Sequence, residues 1–134
     1  MPELEKLSPF LMYQNGEAEE AMRFYTSLFD DGEIVLVERF EPGKGPEGKI
    51  LTGVIRIAGR QVRLFDSPAR HEWEFTPGVS LFVRCESRAE LDELWAALSE
   101  GGRVHMPLDD YGFGGPFGFT EDRFGVSWQL IFEG

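Results

Sequence analysis

Apolar residues along the chain run as an alternating stretch, then at helical spacing, then in alternation again, and this order occurs twice. Residues 8–14 form the first predicted strand, with Pro9 at its start, where a missing N–H does least harm, followed by Phe10, Leu11, Met12 and Tyr13. Asn15-Gly16 makes a turn and offers an N-cap, and Glu17, Glu19 and Glu20 bring carboxylates to the positive end of a helix. Ala18, Ala21, Met22, Tyr25 and Leu28 recur at helical spacing, with Phe24 and Phe29 widening the stripe, until Asp30-Asp31-Gly32 supplies a stop. Three strands are predicted next, over 33–40, 49–58 and 61–66. The Pro- and Gly-rich stretch 42–48 separates the first two, and Gly59-Arg60 turns the last two into a hairpin.

A connector with two prolines follows, yet it holds Trp73 and Phe75, so it is expected to dock on a core edge or an interface. Residues 79–85 read as a strand. Ser87-Arg88-Ala89-Glu90 is a capping box in which Glu90 is placed to reach the N-cap amide. Leu91, Leu94, Trp95 and Leu98 make the second helical stripe, ended by Gly101-Gly102. Strands are predicted over 103–108 and 117–120, around a glycine-rich turn holding Tyr111, Phe113 and Phe117. After Gly125 the last strand places Val126, Trp128, Leu130 and Phe132 on one face and Ser127, Gln129, Ile131 and Glu133 on the other. The first face calls for a helix over it, and the second suits a partly polar cavity.

Overlaying the halves at an offset of about 70 residues sets Leu11 on Leu81, Ala21 on Leu91, Phe24 on Leu94 and Leu28 on Leu98. The pattern therefore predicts an α+β fold of two tandem βαβββ modules, with helices outside and a cup-shaped mixed sheet within. Module one covers 7–66, the linker 67–77 and module two 78–134, in a single domain of 134 residues.

Composition narrows the function. Hydrophobic residues make up 42% of the chain, enough for a core, and no apolar run nears the ~20 residues of a membrane span. The charged N-terminus lacks a signal peptide's apolar region, and the single Cys85 fits a reducing compartment, so a cytoplasmic protein is expected. A net charge of −11 disfavours nucleic acid and leaves room for cationic ligands.

Candidate chemistry is sparse. His71 with Glu72 and Glu74 reads better as a solvated loop than as a metal site, and His105 better as a rim or core histidine than as an acid or base. Cys85 has no evident partner base. Asp109-Asp110-Tyr111 offers carboxylates and a phenol to the cup mouth, although Asp-rich turns are usually only turns. Residues 111–118 lack the Lys-Ser/Thr and helix of a phosphate loop.

Pro9-Phe10-Leu11, the run Gly16-Glu17-Ala18-Glu19-Glu20-Ala21, Phe24-Tyr25, Leu28-Phe29 and the stretch from Asp122 to Leu130 together resemble the PhnB-like branch of the vicinal-oxygen-chelate superfamily. That superfamily includes glyoxalase I, extradiol dioxygenases and bleomycin-resistance proteins. The resemblance implies paired βαβββ modules, a homodimer and, in catalytic members, a divalent metal held by two His with one or two Glu. Carried onto this chain, the ligand positions fall near Pro9 or Phe10, near Gly78, around Arg63 or Leu64, and on Gln129, with Asp66 out of alignment. Only Gln129 can ligate, and one amide does not hold a catalytic metal. The ubiquinone-pathway methyltransferase label that some members carry finds no support, since no glycine-rich strand-to-helix turn precedes an acidic residue.

Three functions are weighed, in this order. The first is a small-molecule-binding protein with no cofactor, its cup lined by Phe10, Met12, Phe65, Phe82, Tyr111, Phe117 and Gln129, for which a cationic aromatic ligand would suit the acidic chain. The second is a metal-dependent lyase, isomerase or dioxygenase. The third is an interaction dimer with a vestigial cup. Neither nucleic acid nor membrane is an expected partner, and whether a reaction is catalysed stays open.

Overall fold

The computed structural model describes residues 3–134. Its elements are β1 (Phe10–Tyr13), α1 (Ala18–Ser27), β2 (Glu33–Arg39), β3 (Ile50–Ile57), β4 (Arg60–Asp66), β5 (Ser80–Cys85), α2 (Arg88–Ser99), β6 (Arg103–Asp110), β7 (Pro116–Glu121) and β8 (Ser127–Phe132). Two βαβββ modules thus follow in tandem, in an α+β fold. Each closes its own four-stranded mixed sheet, in the orders β1-β4-β3-β2 and β5-β8-β7-β6. The chain divides into two compact units between Glu72 and Trp73, inside the predicted linker.

In the first unit β1 runs parallel to β4, with Leu11 beside Leu64 and Tyr13 beside Asp66. Helix α1 packs chiefly on β3 and buries Ala18, Ala21, Met22 and Tyr25, where a fully buried side chain the size of Met22 contributes about 1.5–3 kcal/mol. The Tyr13 hydroxyl donates to that of Tyr25 at 3.1 Å, tying β1 to the helix. The expected Asn15 cap is not used, because the helix starts later. Glu17 is the N-cap and makes no side-chain cap bond. The buried carboxylate of Asp66 takes over that role, accepting the Ala18 N–H at 3.0 Å and the Ile50 N–H at 2.9 Å. At the other end α1 stops at Ser27, short of Asp30-Asp31-Gly32.

Asp31 instead serves the β3–β4 hairpin. The turn residues are Ala58 and Gly59 (φ 49° and 78°), one position earlier than expected. A left-handed alanine is costly, and Asp31 offsets this by accepting the N–H groups of Ala58 (2.9 Å) and Gly59 (2.7 Å). Glu19 joins α1 to β2 by accepting from the two terminal guanidinium nitrogens of Arg39 at 2.8 and 2.9 Å. Those bonds, with Arg23, hold its carboxyl down to about 2.

The second unit repeats the plan. Strand β5 lies parallel to β8, with Leu81 beside Trp128 and Val83 beside Leu130. Leu91, Leu94 and Leu98 of α2 are buried, as are Trp128 and Leu130. Trp95 lies so close to Gly118 that a Cβ there would sit 2.4 Å from its ring, so only glycine admits the helix at this distance. Ser87 caps α2, accepting the Glu90 N–H at 3.0 Å. The Glu90 carboxylate reaches the Glu86 N–H at 2.6 Å, one residue before the amide expected. Strand β6 extends to Asp110, so the glycine-rich turn shrinks to 111–115.

Candidate functional site

The face of each sheet that carries no helix is the place to look for chemistry. In the first unit Leu11 and Tyr13 turn toward α1, so alternation sends Phe10 and Met12 to the opposite face. Parallel pairing sets Phe10 beside Arg63 and Met12 beside Phe65. The Phe10 and Phe65 rings lie 5.7 Å apart, and the Phe40 ring stands 6.1 Å from that of Phe65. Phe10 is 53% exposed on β1, an edge strand of its sheet. Arg63 is half-buried, and among the described residues its guanidinium meets no carboxylate. Asp66 faces the helix, where its two backbone bonds consume both oxygens.

In the second unit Trp128 and Leu130 face α2, leaving Ser127, Gln129 and Ile131 on the opposite face. Ser80 lies beside Ser127, and Phe82 and Phe119 flank Gln129 from the two neighbouring strands. The Gln129 Nε2 donates to Ser80 Oγ at 3.3 Å. Phe82 is 56% exposed. The expected polar cavity side is narrower than predicted, because Ser127 and Ile131 are buried, Glu133 lies beyond the end of β8, and within the strand Gln129 is left as the half-buried polar group. Ser127 Oγ is buried and, among the described residues, without a hydrogen-bond partner.

His105 joins this face. Its Nε2 stands 3.0 Å from Glu121 Oε1, and its ring is 4.9 Å from that of Phe119. Sequence reading placed His105 at a rim or core. The register shift between Val104 and Met106 concealed its pairing with Glu121.

Tyr111 and Phe117 belong to a separate aromatic cluster at the β6–β7 end. Tyr111, Phe113 and Phe117 have ring separations of 5.2–6.1 Å. The Tyr111 hydroxyl donates to the Pro107 carbonyl at 2.6 Å. Asp109 and Asp110 accept from the Asp110 and Gly112 amides, which is turn chemistry. Phe117 pairs with Ile131 and so connects the cluster to the Gln129 face.

The remaining reactive groups stand apart. Burial, then the charge of Glu90, pushes the Cys85 thiol up to about 11, so it stays protonated at neutral pH. His71 Nε2 lies 3.2 Å from Ser67 Oγ, and its backbone N–H donates to Gln14 Oε1. Among the described residues no three His, Cys, Asp or Glu side chains gather as a metal site. The side chains at the superfamily's ligand positions, an aromatic ring, a guanidinium and an amide, do not fit a divalent cation.

Tandem βαβββ modules, each with one helix-covered face and one aromatic face, define a vicinal-oxygen-chelate-fold protein. A glyoxylase/bleomycin resistance protein/dioxygenase domain from Frankia shares that fold, at TM-score 0.65 and 17% identity over 98% of this chain and 94% of its own. The chain belongs to the family described as 3-demethylubiquinone-9 3-methyltransferase, the PhnB-like group, whose model matches residues 5–131. A PhnB protein from Bacillus cereus is 43% identical, with a TM-score of 0.91 over 96% of this chain and 99% of that one. An uncharacterized Mycobacterium tuberculosis protein is 29% identical over 130 residues, 92% of this chain and 72% of its own length.

Proposed function

We propose that this PhnB-like protein binds a small organic molecule against its helix-free sheet faces, without a resident metal, and works as a homodimer. One observation carries the reading. Phe10 and Phe82, on the corresponding strand of each module, stand 53% and 56% exposed on faces whose strands are fully formed. Each has a polar neighbour in register, Arg63 for Phe10 and Gln129 for Phe82. Apolar walls with a few placed polar groups are what small-molecule sites offer. The side chains at the superfamily's ligand positions supply recognition chemistry rather than Lewis-acid chemistry. Dimer formation rests on the family resemblance.

The test is a metal balance. Protein purified without a histidine tag is assayed for bound metal, then titrated calorimetrically with nickel, zinc, manganese and iron(II). The expected result is no stoichiometric binding. Tight one-to-one binding of any of the four would overturn the metal-free reading and restore the glyoxalase-type enzyme.

A further inference from the structure

We propose that the ligand of the first module's helix-free face carries an oxyanion, and that Arg63 is the residue that holds it. This rests on the small-molecule reading and deepens it by naming the ligand's charge.

Asp and Glu outnumber Lys and Arg by 24 to 13, so an arginine placed at random meets a carboxylate easily. Arg23, Arg39, Arg56, Arg60, Arg84 and Arg88 all do. Arg70 donates to Asn15 and to the Gln14 carbonyl, and Arg123 lies over the Phe124 ring. Arg103 meets no carboxylate or aromatic ring among the described residues, but it is exposed to water. Arg63 alone combines partial burial with the lack of any ion pair among the described residues.

Its surroundings explain why that matters. Register places Phe10 beside it on β1 and Val54 beside it on β3, and alternation places Phe65 two residues along on the same face. All three are apolar. A guanidinium that loses part of its hydration there without gaining a counter-charge is destabilised, and an arriving oxyanion reverses that cost. The planar guanidinium fork matches carboxylate, phosphate and sulfonate oxygens two at a time. Phe10, more than half exposed, offers the adjoining surface for the ligand's apolar body.

The long-range field points the other way. A net charge of −11 draws cations, and on composition alone a cationic aromatic ligand is the natural expectation. Arg63 inverts that expectation locally, so selectivity for an anion would have to come from this side chain and not from the bulk charge.

Three probes on one aromatic body make the test: naphthoate, naphthylmethanol and naphthylmethylamine, which are anionic, neutral and cationic. Each is titrated into the full chain, as wild type, Arg63→Met and Arg63→Lys, with dissociation constants read from amide NMR shifts. Charge-assisted hydrogen bonds predict that naphthoate binds wild type about tenfold or more tighter than naphthylmethanol. Arg63→Met should remove that preference, weakening naphthoate far more than naphthylmethanol, while Arg63→Lys keeps part of it. The anion preference surviving in a folded Arg63→Met, or no anion preference in wild type, would overturn the inference and leave the small-molecule reading standing. Failure of all three probes to bind would overturn both.

Discussion

Asp66 shows how much one side chain decides. It was a near miss for a metal ligand in the sequence, yet its two oxygens are committed to the Ala18 and Ile50 amides. It therefore caps α1 and pins the start of β3 from the end of β4. Asp66→Ala leaves two buried N–H groups without acceptors, and about 2–4 kcal/mol of stability should be lost. Asp66→Asn, which keeps one acceptor oxygen, should lose less. Urea denaturation of the two variants reads the difference, and equal stability of Asp66→Ala and wild type would refute the capping role. The helix start was misread for a related reason. Asn15 has the chemistry of a cap, but the acceptor that does the work comes from 48 residues downstream of Ala18, a distance no local motif reports. Local boxes fared better: Ser87 does cap α2, and only the reach of Glu90 was off by one residue.

At the scale of elements, helix-on-sheet contact is set by glycines as much as by leucines. A methyl at Gly118 would meet the Trp95 ring at 2.4, 2.8 and 2.9 Å, and an indole has few ways to yield. A methyl at Gly53 would meet Met22 Sδ at 2.6 Å, and a thioether can turn aside. Gly118→Ala should cost about 1–3 kcal/mol and Gly53→Ala less, with Trp95→Leu restoring part of the Gly118→Ala loss in the double variant. Denaturation midpoints check the ranking, and the opposite order would show that α2 shifts more easily than α1. Strand alternation made much of the site legible as well. It grouped Phe10 with Met12 and set Gln129 opposite Trp128, as the registers have it. The same alternation reaches Arg63, two residues before Phe65 and so on its face. His105 was beyond reach, since the irregularity in β6 breaks the alternation from which its neighbour Glu121 would be inferred.

For the molecule as a whole, the order of elements was readable because the same apolar pattern occurs twice. What each aromatic face binds was not, because exposure and pairing in register are properties of the folded sheet. The homodimer belongs to this scale. Sedimentation at micromolar concentration should give twice the 15.2 kDa chain mass, and a monomer alone would remove that part of the proposal. The parallel ladders carry a further consequence, for the order in which the chain assembles itself. Strands β2, β3 and β4 are neighbours both in sequence and in the sheet, so each can pair as soon as the next is available. β1 has no such neighbour: its only partner in that sheet is β4, the last strand of the module. Its ladder closes the largest loop and meets the greatest chain-entropy cost, so it is the last to zip. During synthesis the strand made first must therefore wait, its apolar side chains uncovered, until Asp66 leaves the ribosome. The wait then repeats for β5 until β8 is made.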